Sequence, residues 1–516
     1  MARHTAVLTV TLLCVSALSA PDAQAQEQSS VASHARVREA LRLLEVWLDA
    51  QKDYQEIPGM SAAMVHDQEL VWARGFGSAD TEQGTPATPQ TIYSICSISK
   101  LFTSIGVLQQ RDAGRLRLAD PVAQHLPWFT LRRNPPDGPE ITIEGMLTHS
   151  AGLPRESDHG YWSEPFEFPT REQVIERLSE QETLYEPALY YQYSNLGLSL
   201  AGEVVAAVSG EPFDAYVRRS ILEPLGLAST TPEMPEAERG GRLATGYSAI
   251  TRAGTRVPAP FFLARGIAPA AGFASTVEDL ARFASWQFRL LETRGDEVLN
   301  HNTLREMHRV HWVDRDLGSP RGLGFGVWRR GDKTFVGHGG SCPGFRTHLL
   351  LQTDDEIATV VMANAQGVAT NEFAQSAYAI IAPAVREALG DSARATRAAD
   401  GAANGLAEPA ADAAAGSEAA VSDVARADSL ERYAGNYASG FAGEIAVLPW
   451  QGSLALLGLP TMNPADNLTK LRAAGEHAFR RVRDDGELAE VIRFELGEDG
   501  RASVMIWNSN RYRRVR

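Results

Sequence analysis

Residues 93–100 read Tyr93-Ser94-Ile95-Cys96-Ser97-Ile98-Ser99-Lys100. Ser97 and Lys100 stand three positions apart, which on a helix places both side chains on one face, one turn from each other. The apolar residues that follow, Leu101, Phe102, Ile105 and Leu108, recur at helical spacing, so Ser97 is expected at the start of a buried helix. A serine hydroxyl is a weak nucleophile until a base takes its proton. A lysine can be that base only if burial or neighbouring cations bring its pKa down from about 10.4 towards neutrality. An arginine cannot, because it stays protonated in proteins. The chain has 49 basic residues, of which only Lys52, Lys100, Lys333 and Lys470 are lysine, and only Lys100 has a serine three positions before it.

At 516 residues with 44% hydrophobic composition, the chain suits two or three domains with sizeable cores. A net charge of −15 argues against nucleic-acid binding, which needs a basic face. Residues 1–25 have the composition of a secretory signal: Arg3 and His4, an apolar run from Thr5 to Ala20, and a small-x-small site at Ala23-Gln24-Ala25. No other segment is long and apolar enough to span a membrane. Removal of that leader leaves two cysteines, Cys96 and Cys342. In an exported protein they pair as a disulfide or sit as two isolated buried thiols.

Val37, Leu41, Leu44 and Leu48 mark an N-terminal helix. Met60 to Val65 and Leu70 to Phe76, joined by a polar turn, read as a β-hairpin. A loop-rich region begins at Pro121; Glu172 to Leu178 and Leu196 to Val208 read as helices, the second ending at Gly210. Strands are expected at Phe335-Val336, Thr347 to Leu351 and Ile357 to Met362. The economical arrangement is an α+β domain over residues 26–390, in which one antiparallel sheet is built from distant parts of the chain and carries helices and an inserted helical lobe. Residues 391–428 are rich in Ala, Gly and Asp and lack aromatics, a linker composition that can be partly helical. Residues 429–516 regain aromatics and short alternating runs, with strands expected at Glu444 to Leu448, Leu454 to Leu457, Ala478 to Val482, Val491 to Leu496 and Ala502 to Trp507, and so read as a small all-β, barrel-like domain.

Three more stretches bear on the chemistry: Leu147-Thr148-His149-Ser150-Ala151-Gly152-Leu153-Pro154, Tyr193-Ser194-Asn195, and Val336-Gly337-His338-Gly339-Gly340-Ser341. Each is weak alone, but their order and spacing with Ser97-x-x-Lys100 are specific. The set resembles the serine β-lactamase and penicillin-binding superfamily, in particular its class C-like branch with D-aminopeptidases and esterases, over roughly residues 40–385. The run Leu430-Glu431-Arg432-Tyr433-Ala434-Gly435-Asn436-Tyr437 resembles the lipocalin-like barrels that follow this domain in some relatives. The resemblance implies that Ser97 is the nucleophile, Lys100 its activating partner, Tyr193 the second proton-transfer group and Asn195 a holder of the substrate amide. It places His338, Gly339 and Gly340 on the strand lining the site and makes the backbone N–H groups of Ser97 and Ser341 the oxyanion hole. Whether Lys100 or Tyr193 takes the first proton stays open. The places of Cys96 and Cys342 are bridged in a subset of class A β-lactamases, so that disulfide is expected here.

No metal or cofactor is called for: His301, His308 and His311 match no zinc spacing and read as solvated helix residues. His149 reads as a structural histidine in a turn. A Gly-x-Ser-x-Gly elbow is absent because position 343 is proline. The strand motif departs from the Lys-Thr-Gly of β-lactamases, with His338 and Gly339 in the places of the lysine and the hydroxyl. The expected activity is therefore that of a secreted or periplasmic serine hydrolase cleaving a small amide or ester through an acyl-enzyme on Ser97. A β-lactamase and a slowly deacylating penicillin-binding or sensor protein are the alternatives.

Overall fold

The structure is a computed structural model that describes residues 31–315, 317–400, 430–439, 443–450, 452–459, 468–483 and 485–515. The leader and most of the expected linker lie outside these residues.

The larger unit is organised by pairing across the whole chain. The strand Gly59–His66 lies between its hairpin partner Glu69–Asp80 and the distant strand Ile357–Ala363, with Met60 opposite Ala363. The sheet continues through Phe345–Gln352 and Lys333–Cys342 to Gly326–Arg330, and the short strand Thr85–Pro86 closes the other edge; every neighbour is antiparallel. Both central strands are buried along their whole length, so they read as continuous apolar runs rather than alternating ones. One face is covered by the first and last helices of the unit, Ala35–Tyr54 and Thr370–Asp400. Val37, Leu41, Leu44 and Leu48 meet Phe373, Ala377 and Ile381 there in one apolar cluster. The last helix continues through residues 391–400, within the segment expected as linker.

The other face carries the larger core, which includes residues of the helices Ser99–Asp112, Asn195–Ser209 and Val277–Thr293. Asn195–Ser209 is fixed at both ends: the Ser194 hydroxyl accepts the Gly197 N–H at 2.8 Å, and Gly210 takes the left-handed conformation that stops the helix. Val277–Thr293, not anticipated from the sequence, starts at Thr276, whose hydroxyl accepts the Asp279 N–H.

Residues 435–514 form a closed barrel of eight strands in sequential order. Five match the expected strands. Gly435–Ala438, Leu468–Gly475 and Asn510–Arg514 are additional. The barrel docks directly on the larger unit. Asn510 accepts the Trp162 N–H at 2.8 Å, and Ser163 accepts the Arg511 N–H at 2.8 Å. Arg483 donates to the Tyr191 carbonyl at 2.9 Å and to Asp314 at 3.2 Å, with its guanidinium 4.4 Å from the Tyr190 ring. Ala489 of the barrel packs with Tyr185 and Tyr190.

Arg483 and Asp314 are nearly covered at the joint, with side chains 10% and 13% exposed. Removing one partner of such a pair leaves the other desolvated, at a cost of about 2–5 kcal/mol. Arg483→Ala is expected to uncouple the barrel, seen by calorimetry as a separate low-temperature transition. A single unchanged transition would show that the docking does not rest on this residue.

Candidate active site

Ser97 lies in a single 3-10 turn, Cys96–Ile98, that leads into the helix Ser99–Asp112. Lys100 is therefore in the first turn of the helix proper, and its Nζ reaches the Ser97 Oγ at 3.3 Å. The residue before Ser97 is in the left-handed region, with φ of 50° at Cys96, and its sulfur is joined to Cys342 on the strand Lys333–Cys342. The bridge spans 246 positions and ties the turn carrying the hydroxyl to the sheet.

That strand approaches the turn closely because position 340 is glycine: a Cβ there would lie 2.3 Å from the Ile95 carbonyl oxygen. Its outer neighbour pairs only as far as Gly337, so among the described residues the edge from His338 to Cys342 has no strand partner on that side. Gly339, Gly340 and Ser341 line a cavity of about 970 Å³ together with Ser97, Tyr193 and Asn195. An unpaired edge offers backbone N–H groups to a ligand, which is what the expected Ser341 donor requires.

Lys100 is completely buried. Its Nζ is held by Asn195 Oδ1 at 2.8 Å and the Ala270 carbonyl at 2.8 Å, and lies 4.8 Å from the centre of the Tyr193 ring. Both oxygens belong to neutral groups, so burial wins: it holds the amine well below the usual lysine range, with Glu156 pulling the other way and Arg155 adding to the depression. A lysine so depressed can accept the Ser97 proton. Burial pushes the Tyr193 phenol up, while the hydrogen bond with Ser97 and the Arg155 charge bring it back down; the Arg155 guanidinium sits 4.9 Å from its ring centre.

His338 points its Nδ1 at the Gly339 carbonyl, 2.6 Å away, and burial together with the Lys100 charge pushes its pKa down to about 3. It is a neutral imidazole throughout the physiological range. His149 is beside Tyr193, rings 4.4 Å apart, but its Nδ1 accepts the Ser194 N–H at 3.1 Å and burial holds it well below the usual range, so it braces the Tyr193-Ser194-Asn195 segment as a neutral group. Asn195 faces the cavity but its amide is engaged at both ends: Oδ1 accepts from Lys100, and Nδ2 donates to Glu156 at 2.9 and 3.1 Å. His308 and His311 are each engaged separately, with Gln287 and Glu144. Among the described residues no cluster of three His, Cys, Asp or Glu could hold a metal ion.

Two sets of residues were not found from sequence. Arg155 and Glu156 follow directly on the Gly152-Leu153-Pro154 run, where an adjacent opposite-charge pair was a legible signal. Arg481, Glu490, Trp507 and Tyr512 of the barrel form part of the cavity wall, and no local motif marks them.

A family model described as Beta-lactamase matches residues 47–384. Protein flp of Staphylococcus aureus is 25% identical over 320 residues, 61% of this chain and 61% of its own, so the chain spans about three fifths of that relative. The octameric penicillin-binding protein homologue from Pyrococcus abyssi shares 22% identity with a TM-score of 0.58, covering 92% of this chain and 99% of its own. A class C beta lactamase from Rhodobacter sphaeroides shares 20% with a TM-score of 0.53, covering 67% and 98%. The first of these structural likenesses extends beyond the larger unit into the barrel.

Loss of the 97 hydroxyl in Ser97→Ala is expected to abolish labelling by a fluorophosphonate probe without unfolding the protein. Lys100→Arg keeps the charge but cannot exchange the proton, and is expected to be nearly as inactive. Labelling of either variant at the wild-type rate would remove Ser97 or Lys100 from the chemistry. Cys342→Ser releases the chain-entropy contribution of the long loop, on the order of 4–5 kcal/mol, and denaturant unfolding should show the loss.

Proposed function

Because the chain belongs to the β-lactamase family, whose shared fold is that of serine hydrolases, we propose that it cleaves a small neutral ester or amide through an acyl-enzyme on Ser97. The observation that carries this reading is the buried Lys100 amine, 3.3 Å from the Ser97 hydroxyl, at a cavity large enough for a small substrate. Ser97 Oγ attacks the carbonyl carbon as its proton passes to Lys100 or Tyr193. The developing oxyanion is held by the N–H groups of Ser97 and Ser341, and the proton then goes to the departing alcohol or amine. Water enters and the same groups run the sequence in reverse, releasing the acid and restoring Ser97. Residues 1–25 and the Cys96–Cys342 bridge favour an exported protein, since disulfides persist in oxidising compartments.

Selectivity for neutral groups follows from the strand. A penicillin brings a carboxylate towards the place where its usual partners are an ammonium and a hydroxyl. Here a neutral imidazole and a glycine stand there, and a desolvated carboxylate without partners costs several kcal/mol. One observation favours the second reading, hydrolysis of β-lactams. Arg346 lines the same cavity, donates its Nε to the Val368 carbonyl at 3.2 Å, and has no acidic partner among the described residues.

The two readings separate on purified protein assayed with nitrophenyl acetate, a D-amino-acid amide and nitrocefin. Turnover of the ester or amide is expected to exceed that of nitrocefin. The ratio is expected to stay flat from pH 5 to 8, because a His338 titrating near 3 changes charge nowhere in that window. Efficient nitrocefin hydrolysis that is lost in Arg346→Ala would favour the β-lactamase instead. A persistent covalent adduct without turnover would favour a binding or sensing protein.

A further inference from the structure

Glu156 takes no part in the steps above, yet it is one of the most deeply buried acids among the described residues, with a side chain 2% exposed. It sits on the loop that follows the short helix Ile143–Thr148. Three groups surround its carboxylate. Asn195 Nδ2 donates to both oxygens at 2.9 and 3.1 Å, the Tyr161 hydroxyl donates to Oε2, and Arg155 Nε lies 3.1 Å from Oε1. Through Asn195 this cluster continues to Lys100 Nζ at 2.8 Å and from there to Ser97.

The two ends of an asparagine amide are alike in shape and opposite in hydrogen-bonding sense, so a neighbour must decide which end faces the lysine. An amine that keeps its lone pair for the Ser97 proton can only donate to Asn195, and a carboxylate only accepts. With Lys100 on one side and Glu156 on the other, a single orientation satisfies both: the carbonyl oxygen on Nζ and the NH₂ on the carboxylate. The reverse orientation would set donor against donor at Lys100 and acceptor against acceptor at Glu156, both buried.

We propose that Glu156 is a positioning residue for acylation: it fixes the Asn195 amide with its oxygen on Lys100, keeps Nζ beside the Ser97 hydroxyl, and supplies the buried counter-charge across that amide. This rests on the assignment of Ser97 and Lys100 above. The carboxyl is raised by burial, and Arg155, Tyr161 and Asn195 hold it back. All three are donors, so the surroundings are built for the ionised form. Lys100 interacts with Glu156 and Arg155 from the loop, lies against the Tyr193 ring, and through its charge holds down His338 of the sheet strand and His149. Glu156 acts in turn on Tyr161, Tyr193 and, from the barrel, Tyr512. Within this set Glu156 is the group that raises Lys100, while burial and Arg155 lower it. Neutralising Glu156 therefore lets the amine fall further, and the acid limb of the acylation rate moves to lower pH even as the rate itself drops.

The test is the rate of Ser97 labelling by a fluorophosphonate probe from pH 5 to 9 in the full chain, for wild type, Glu156→Gln and Tyr161→Phe. In Glu156→Gln the side chain at 156 both donates and accepts, so the Asn195 amide loses its fixed sense. The expected result is labelling slower by about 10–100-fold at pH 7.5, with the acid limb displaced downwards. Tyr161→Phe removes one donor from the carboxylate, lets it protonate more readily, and is expected to displace the limb in the same direction by less. An unmoved acid limb in a folded Glu156→Gln, whether the rate is unchanged or merely lower, overturns the proposal. If that variant does not fold, an unmoved limb in Tyr161→Phe overturns it equally. A wild type that does not label at Ser97 at all removes the assignment of the nucleophile, and this inference with it. A wild type that labels beside unaffected variants removes this inference alone.

Discussion

The site depends on one buried amine that lacks a direct carboxylate partner. Lys100 is fully covered, and its three partners are an alcohol, an amide oxygen and a backbone carbonyl. A carboxylate at hydrogen-bond distance would lock the ammonium and make it useless as a base; no partner at all would leave a buried polar group unsatisfied. Placing Glu156 one amide away satisfies both constraints. The charge is felt across Asn195 while the atoms that touch Nζ remain neutral.

Holding that arrangement requires segments far apart in sequence to meet within tenths of an ångström, and the fold supplies several fixed points. The Cys96–Cys342 bridge joins the Ser97 turn to the sheet, and Gly340 lets the strand come close enough for the bridge to form. His149, in a left-handed turn at the end of a short helix, accepts the N–H of Ser194 and so ties the Tyr193-Ser194-Asn195 segment to the loop that carries Glu156. The barrel then closes the far side of the cavity. Its docking residues lie next to those that line it: Asn510 does both, and Arg483 is two positions from Arg481.

Much of this was legible in the sequence, and the reasons differ by element. The first helix and the central strands carry their burial in their spacing: the four residues expected to be buried in Ala35–Tyr54 are the four that are. The helix Val277–Thr293 was missed although its signals are present: Thr276 as cap, Glu278 and Asp279 in its first turn, and buried Leu280, Phe283, Trp286 and Leu290. The barrel strands Leu468–Gly475 and Asn510–Arg514 were not. Each has one buried residue, and their arginines hide any alternation. The quoted motifs located Ser97, Lys100, Tyr193 and Asn195. What motifs could not give was partner geometry: the engagement of both ends of the Asn195 amide, and a cavity wall contributed by residues some three hundred positions further along the chain.

Lysine is scarce in this chain, and the cavity reflects it. The cations around the cavity, Arg155, Arg346 and Arg481, are arginines, and Arg321 stacks 4.6 Å from the Tyr191 ring nearby. Arginine stays charged across the whole physiological range, so the positive field in which Lys100 and Tyr193 work does not change as they titrate. Arg155, Arg321 and the charge on Lys100 add to burial in keeping His149 neutral, and burial, Lys100 and Arg321 do the same for His338. With both histidines silent and the surrounding cations fixed, the proton balance of the site falls to the Lys100–Tyr193 pair and to the one acid placed to raise Lys100, Glu156. Neither histidine is placed to take the Ser97 proton: Lys100 Nζ is the group 3.3 Å from the hydroxyl.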